Sequence, residues 1–287
     1  MYINQISSKN MLTQSQVEQF KTDGFLAIRE FYDFKTEIIP IQEFIYKIIG
    51  IFLKRYSVNF LQPEFAPETF DAGYQELIAK DRRYGALVYD AVKHIPPFVR
   101  LACSEKHDRI LSQLRESDMP GVPYGGFGIR IDNPFEEKFR ANWHQDYPSQ
   151  FRSLDGIVLW APLVSITKDI GPLQVAVNSH HDGIFHLTRK DPDNPEKTGA
   201  YGLRLKNESD IISRYKIVEG ICAPGDLLLI DYLNLHASGY NRSNRSRWSM
   251  QMRYFNYREP TGQSYDWQGS FAAGTDISKI HPELIEE

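Results

Sequence analysis

The sequence is poor in cysteine, with only Cys103 and Cys222 among its 287 residues. Two cysteines exclude a disulfide framework, and they leave too few thiolates for a cysteine-based zinc site. Because low cysteine content without disulfides suits a reducing compartment, we predict a cytoplasmic protein.

The sequence also lacks an excess of basic charge and a long apolar run. Its 33 lysines and arginines are outnumbered by 37 aspartates and glutamates, so we predict no nucleic-acid partner. The N-terminus does not have the charged and then apolar segments of a signal peptide. The most apolar segment, residues 38–56, is interrupted by Pro40, Glu43 and Lys47. We therefore predict no integral membrane segment.

Helical periodicity dominates the first hundred residues. Thr13 is suited to cap a helix that ends at Gly24, and residues 25–31 alternate as a strand does. Further helices are predicted around residues 36–55, 67–80, 82–93 and 107–115. The first of these is expected to bury one apolar face, made of Ile41, Phe44, Ile45, Ile48, Ile49 and Phe52.

Short apolar runs separated by turn residues follow a glycine- and proline-rich loop at residues 119–128. This spacing predicts a sandwich or barrel of antiparallel strands. The polar, proline-bearing stretch 181–215 interrupts the strands, and long excursions of this kind often form lids. We predict an α+β fold in a single domain over residues 1–287, with a mainly helical flank at 1–118, a strand-rich core at 119–260 and a lid insertion at 181–215.

One short stretch, NWHQDYPSQ at residues 142–150, suggests chemistry. His144 and Asp146 lie two residues apart, so in an extended strand their side chains share one face. Such a pair either supplies two ligands to a divalent metal or forms a hydrogen bond that supports a turn. With a second histidine, the pair would complete the facial triad of non-haem Fe(II) oxygenases, which leaves three coordination positions open.

The third ligand should come from a distant, neighbouring strand. Of the eight histidines, His236 follows the strongly apolar run DLLLIDY and precedes the small residues Ala237, Ser238 and Gly239. Small residues leave room for a metal and a substrate, so His236 is the third ligand that we predict.

Four segments in order along the chain carry a family resemblance. They are LTQSQVEQFKTDGFLAIREF at 12–31, WHQD at 143–146, GPLQVAVNSHH from Gly171, and HASGYNRSNRSR at 236–247. Together they resemble the phytanoyl-CoA dioxygenase family of Fe(II)- and 2-oxoglutarate-dependent enzymes. The resemblance implies a double-stranded β-helix (jelly-roll, cupin-like) core with N-terminal and flanking helices. It also implies that Fe(II) is bound by His144, Asp146 and His236, with 2-oxoglutarate and O2 as cosubstrates.

The cosubstrate arginine of that family lies eleven residues after the distal histidine, which corresponds to Arg247. The resemblance therefore implies a bidentate salt bridge from Arg247 to the distal carboxylate of 2-oxoglutarate. Ser249 is placed to add a hydroxyl to the same carboxylate, and Asn142 to bond substrate or cosubstrate. Arg245 and Arg253 are alternatives; in a regular strand Arg253 would share the face of Arg247, about 20 Å further along.

The resemblance implies hydroxylation with release of succinate and CO2. Related halogenases have a small residue in place of the carboxylate ligand, so Asp146 favours hydroxylation of an unactivated C–H bond. We predict a small molecule or glycoconjugate as substrate, with five candidate contacts near the first two ligands: Tyr124, Phe127, Arg130, Tyr147 and Trp160.

Two other functions remain open from the sequence. One is a non-catalytic jelly-roll that binds a metal or a sugar-like ligand. The other is a purely structural turn built on His144 and Asp146. The sequence makes no prediction of oligomeric state.

Overall fold

The computed structural model describes residues 11–189, 202–269 and 276–286. Within these residues the strands are β1 (Phe25–Ile28), β2 (Pro120–Gly121), β3 (Gly128–Asp132), β4 (Ile157–Pro162), β5 (Leu173–Ala176), β6 (Leu187–Thr188), β7 (Arg204–Leu205), β8 (Ile217–Gly220), β9 (Leu227–Asp231), β10 (His236–Ser238), β11 (Arg247–Asn256) and β12 (Ile285–Glu286). The apolar runs that follow the loop at 119–128 all form strands, as predicted from their alternation and turn residues.

Nine of the strands form two antiparallel sheets. The larger sheet has the order β1-β9-β4-β11-β2, with β3 also paired to β11, and the smaller has the order β10-β5-β8. Side chains of the two sheets meet between them, since Nη2 of Arg247 on β11 donates to Oγ of Ser238 on β10 at 2.7 Å. The jelly-roll core and the α+β class are thus confirmed.

Strand β4 shows why the core strands are so apolar. All six of its residues, IVLWAP, are buried. The smaller sheet lies on one side of the larger sheet, and helices pack against its other side. A strand covered on both faces has no solvent-facing position to fill with polar residues.

The helices are α1 (Gln14–Asp23), α2 (Ile39–Arg55), α3 (Tyr74–Lys80), α4 (Arg82–Val92), α5 (Pro96–Ala102), α6 (Glu105–Arg115), α7 (Tyr147–Gln150), α8 (Glu208–Ile212), α9 (Pro260–Ser264) and α10 (Ile277–Ile280). The first helix begins and ends as its sequence predicts. Thr13 and Gln16 form a capping box at its start, and Gly24 ends it with a φ of 74°, a left-handed conformation that suits glycine.

Three details of the helical region differ from the prediction. Helix α5 was not predicted. It begins with two prolines, whose missing N–H groups cost nothing in the first helical turn. Helix α3 starts only at Tyr74, after a short 3-10 turn at Pro67–Thr69. Phe44 is 38% exposed, although its neighbours Ile41 and Ile45 on α2 are fully buried.

The N-terminal region is more than a helical flank. Strand β1 pairs with β9, from Phe25 opposite Ile230 to Ile28 opposite Leu227, and so forms an edge of the larger sheet. Gln42 of α2 donates to the carbonyl of Leu163, just beyond β4. Among the described helices, none is long and apolar enough to cross a membrane.

A third, small sheet lies in the predicted lid segment. Strand β6 pairs with β7 in antiparallel fashion and with β12 near the C-terminus in parallel fashion. Residues 190–201 of the segment lie outside the described residues. The lid and the single-domain organisation therefore stay predictions.

Candidate metal centre

A single backbone bridge joins the two histidines that were predicted as ligands. The amide of His144 donates to the carbonyl of His236, and the amide of His236 to the carbonyl of His144, both at 3.0 Å. This bridge is isolated rather than part of a regular strand, and Asp146 stands at the start of α7. The expectation of a strand around His144 was thus wrong, but the two-residue spacing still brings both side chains to one site.

Both imidazoles are oriented in the same way. The Nδ1 atom of His144 lies 2.7 Å from the carbonyl oxygen of Asn142, and Nδ1 of His236 lies 2.9 Å from that of Asn234. A carbonyl oxygen only accepts, so Nδ1 carries the proton in each ring. The Nε2 atoms are left with lone pairs, and the two ring centroids are 4.3 Å apart. Backbone carbonyls in this position are the usual orienting partners of metal-binding histidines.

Asp146 completes a group of three ligand atoms. One atom from each of His144, Asp146 and His236 lies within 4.8 Å of the others. The Oδ2 atom of Asp146 is 3.6 Å from Nε2 of His236 and has no hydrogen-bond partner in the part of the chain that the structure describes. The other oxygen, Oδ1, accepts from Nε and Nη2 of Arg253, each at 3.1 Å.

The protonation states suit a divalent cation. Burial and the neighbouring His236 lower the pKa of His144 to about 4, and burial lowers the pKa of His236. Burial raises the pKa of Asp146, but Arg253 and the two histidines outweigh it, so this pKa lies below its ordinary value. At neutral pH the site therefore offers two neutral imidazoles and one carboxylate, which are the forms that bind a metal.

Gln145, between the two ligands, was not singled out from the sequence. Its Nε2 donates to the carbonyls of Gly183 and Leu233, at 2.7 and 2.6 Å, and its Oε1 accepts from the amide of Phe185 at 3.0 Å. The amide is therefore joined to two other segments of the chain. Its position in WHQD was the available sequence signal, because a residue between two ligands is expected to face away from them, toward other parts of the chain.

Arg247, the predicted cosubstrate arginine, is fully buried. Its Nη2 donates to Oδ2 of Asp132 and Oγ of Ser238, both at 2.7 Å, and its Nη1 donates to the carbonyl of Gly171. Both hydrogens of Nη2 are thus engaged, so Arg247 has Nε and one hydrogen of Nη1 for a further acceptor. The predicted bidentate contact through Nη2 would require Asp132 or Ser238 to move.

Arg130 shares Asp132 with Arg247. The Nε atom of Arg130 lies 3.0 Å from both carboxylate oxygens of Asp132. Burial raises the pKa of Asp132, but the two guanidinium groups outweigh it and hold this pKa below its ordinary value. Two guanidinium groups and one carboxylate leave a positive charge, which favours binding of an anion nearby.

Several buried polar atoms on the inner face of the larger sheet are unpartnered. On β11, alternate residues share a face, so Arg247, Ser249 and Arg253 point the same way. Trp160 of β4 lies opposite Gln251 on this face. Among the described residues, no hydrogen-bond partner exists for Nε of Arg247, Oγ of Ser249 or Nε1 of Trp160.

These atoms fit the group that the triad implies. Each unpartnered buried donor or acceptor costs about 1–3 kcal/mol. A metal would ligate Oδ2 of Asp146, and a dicarboxylate beside it would accept from Arg247, Ser249 and Trp160. The residues present therefore suit an iron ion with 2-oxoglutarate.

Four other predicted site residues have different surroundings. Tyr124 is fully exposed, and Phe127 packs edge-to-face on Phe98 of α5. The Tyr147 hydroxyl is bonded to Nε2 of His281 at 2.8 Å. Asn142 contributes its backbone carbonyl to His144, and its predicted side-chain role stays a prediction. The predicted roles of Tyr124 and Phe127 as substrate contacts stay predictions, with Phe127 packed against the hydrophobic core.

Solved structures with a similar fold were found. The non-haem α-ketoglutarate-dependent carbocyclase SnoK from nogalamycin biosynthesis has a TM-score of 0.55 and 14% identity, over 85% of this chain and 84% of that chain. EctD from S. alaskensis with 2-oxoglutarate and 5-hydroxyectoine has a TM-score of 0.52 and 15% identity, over 88% of this chain and 79% of that chain. The epimerase SnoN with Fe3+, α-ketoglutarate and nogalamycin RO gives 0.53 and 14%, over 92% of both chains.

A comparison with curated proteins gave no significant match. The family model for phytanoyl-CoA dioxygenase (PhyH) matches residues 20–249, a range that contains the three candidate ligands and Arg247. The chain therefore belongs to the phytanoyl-CoA dioxygenase family.

Proposed function

We propose that this chain is an Fe(II)- and 2-oxoglutarate-dependent dioxygenase that hydroxylates an unactivated C–H bond of a small molecule or glycoconjugate. The balanced reaction converts substrate R–H, 2-oxoglutarate and O2 into R–OH, succinate and CO2. One oxygen atom of O2 enters the alcohol and the other enters succinate.

The observation that carries the proposal is the match between the triad and the unpartnered donors beside it. Nδ1 of His144 bonds the Asn142 carbonyl and Oδ1 of Asp146 accepts from Arg253, so the two side chains do not form with each other the hydrogen bond of a purely structural turn. Oδ2 of Asp146 lacks a partner among the described residues, as do Nε of Arg247, Oγ of Ser249 and Nε1 of Trp160. A metal alone would satisfy Oδ2 but none of the donors. An iron with a carboxylate-bearing cosubstrate satisfies all of them.

Each residue has a distinct task in this mechanism. Bound Fe(II) and 2-oxoglutarate supply the oxidising chemistry that cleaves the C–H bond. Nε2 of each histidine and Oδ2 of Asp146 would hold the metal from one side, which leaves three positions open. Arg247 would orient the distal carboxylate through Nε, and the buried walls keep water away from the reaction.

The reaction type is argued from Asp146. With a metal bound at the triad, its carboxylate would take the position that a halide needs, so hydroxylation is favoured over halogenation. A non-catalytic binder would have no use for a buried arginine with an unpartnered Nε beside the metal. The structures of EctD with 5-hydroxyectoine and of SnoN with nogalamycin RO support a small-molecule substrate for a fold of this kind.

An anaerobic titration tests the metal and the cosubstrate together. Fe(II) with 2-oxoglutarate should give the weak visible charge-transfer band of a chelated keto acid. His144→Ala and His236→Ala should abolish the band, whereas the matched control His181→Ala should retain it, because the His181 side chain is exposed and its Nε2 lies 3.2 Å from the Thr22 carbonyl oxygen. Absence of the band in the wild-type protein, together with no succinate release in air, would sink the proposal.

Substrate identity needs a second measurement. Succinate release screened against a metabolite library should rise above the uncoupled background for one chemical class. Mass spectrometry of that product should show the gain of one oxygen atom, which separates hydroxylation from cyclisation or epimerisation.

A further inference from the structure

We propose that Arg253 is a positioning residue that keeps Asp146 a one-oxygen ligand of the metal. The inference rests on the proposed function, because it concerns the same metal. It assigns to Arg253 a task other than the cosubstrate binding that its strand position alone suggested.

The contact is asymmetric in a way that separates the two carboxylate oxygens. Both Nε and Nη2 of Arg253 lie 3.1 Å from Oδ1 of Asp146, and neither donates to Oδ2. Oδ2 instead lies 3.6 Å from Nε2 of His236 and is buried without a partner in the described chain. The guanidinium of Arg253 therefore engages Oδ1, whereas Oδ2 remains on the side of the histidines.

The fold fixes both partners of this contact. The amides of Asp146 and Tyr147 donate to the carbonyl of Tyr232, at 3.0 and 3.2 Å, which holds the start of α7 against the end of β9. Arg253 lies near the C-terminal end of β11, opposite Val158 of the fully buried strand β4. Its side chain is only 18% exposed and that of Asp146 is 2% exposed, so solvent does little to loosen the pair.

The coordination number of the metal explains why it matters that Asp146 binds through only one oxygen. A six-coordinate metal held by two histidines and one carboxylate oxygen has three positions left. A two-point chelator such as 2-oxoglutarate takes two of them, and one remains for a diatomic gas. If Asp146 bound through both oxygens, that last position would be filled. Arg253 prevents this by engaging Oδ1 with two N–H groups.

The experiment compares Arg253→Met with the wild-type protein and with Arg258→Met as a matched control. Arg258 follows the same strand, and its partner Asp118 forms an exposed ion pair with it. Two anaerobic quantities are measured: the Fe(II) dissociation constant, and the binding of nitric oxide, a stand-in for O2, at saturating Fe(II) and 2-oxoglutarate.

We expect Arg253→Met to weaken Fe(II) binding by about 10- to 100-fold, the usual effect of losing a partner of a metal ligand. Nitric oxide binding should also weaken at saturating Fe(II), because the freed Oδ1 competes for the last position. Arg253→Lys should recover part of the Fe(II) binding and part of the nitric oxide binding, and Arg258→Met should change neither quantity. A merely structural arginine would not alter nitric oxide binding once iron is saturating.

The inference is overturned if folded Arg253→Met binds Fe(II) and nitric oxide as the wild-type protein does. Failure of the proposed function is a different result, since the wild-type protein itself would then give no charge-transfer band with Fe(II) and 2-oxoglutarate and release no succinate in air. If Arg253→Met does not fold, Asp146→Gly gives the answer with added formate, a free carboxylate.

The formate assay tests whether Arg253 holds a carboxylate oxygen on its own. Formate should restore Fe(II) binding to Asp146→Gly, and Asp146→Gly/Arg253→Lys should need more formate for the same recovery. Equal recovery in the two variants, or none in either, would contradict the assigned role.

Discussion

Replacing Arg247 by alanine is the most informative perturbation of the candidate cosubstrate site. The side chain is fully buried and joins the two sheets, because it donates to Asp132 on β3, to Ser238 on β10 and to the Gly171 carbonyl before β5. Its Nε has no partner among the described residues. Arg247→Ala therefore removes both an internal connection and the donor that is available to 2-oxoglutarate.

The two losses have different sizes. Loss of a buried charge-assisted contact to a ligand costs about 2–5 kcal/mol, which corresponds to a roughly 30- to 4000-fold higher 2-oxoglutarate dissociation constant. Removing one partner of a buried ion pair costs ~3–5 kcal/mol of folding stability when the other charge is left alone. Asp132 retains its ion pair with Arg130, so we expect a loss of folding stability near or below the lower limit of about 3 kcal/mol.

The assay must separate cosubstrate binding from loss of folded protein. We would titrate 2-oxoglutarate into the anaerobic Fe(II) form, follow the charge-transfer band, and work well below the measured Tm. The Fe(II) dissociation constant serves as an internal control, because the three ligand residues remain. Arg109→Ala, which removes an exposed partner of Glu105, is the matched control for loss of a guanidinium.

Two results would refute the reasoning. One is an unchanged 2-oxoglutarate dissociation constant in folded Arg247→Ala, which would transfer the anchoring role to Arg130 or Arg253. The other is an equal weakening of Fe(II) and 2-oxoglutarate binding, which would indicate general damage to the site rather than loss of a cosubstrate donor.

Two further predictions concern residues that surround the site. Gln145→Ala should lower the free energy of unfolding by about 1–3 kcal/mol, because the buried amide of Phe185 and the partly buried carbonyls of Gly183 and Leu233 lose their side-chain partner. Gln145→Glu should not restore this stability, since a carboxylate cannot donate to the two carbonyls, and a wild-type Tm in both variants would contradict the prediction. Burial lowers the pKa of His107 to about 4 from its ordinary 6.5, so the folded state prefers the neutral ring that is bonded to Tyr32. The unfolded chain then binds more protons, and stability present above pH 6.5 is lost toward pH 4, by up to about 3 kcal/mol. Urea titrations of wild type and His107→Gln across this range should give a flatter profile for the variant; parallel profiles would rule His107 out as the cause.

The sequence was most informative where local physics decides the structure. Apolar runs such as that of β4 became strands, since only the buried interior of a sheet accepts such composition on both faces. His236 could be selected because a buried strand precedes it and small residues follow. The structure then brings it within reach of His144 and Asp146, although these two leave the regular strand that the prediction assumed.

The missed features depend on contacts between distant parts of the chain. Arg253 and Asp146 are 107 residues apart, and their contact exists only because the chain turns into α7 immediately after the ligand. Arg130 is different, since its partner was visible in the sequence. Arg130 and Asp132 are two residues apart on β3 and share a face, so their spacing alone indicates the ion pair, and the substrate contact of Arg130 stays a prediction.

The charges of the site explain how the short strand β10 can serve both metal binding and cosubstrate binding. Arg130, Arg247 and Arg253 against Asp132 and Asp146 give three positive and two negative charges, a sum of +1. Fe(II) would bring +2 and 2-oxoglutarate −2, so binding both would leave the sum at +1. The metal alone would raise the sum to +3 in a buried setting, which favours arrival of the dianion after it. Strand β10 lies between the two arginine contacts. At its start, His236 neighbours Asp146, which Arg253 holds. Two residues on, Ser238 accepts from Arg247. A metal at the triad and a dicarboxylate at Arg247 would therefore both lie beside β10, where their opposite charges would compensate each other.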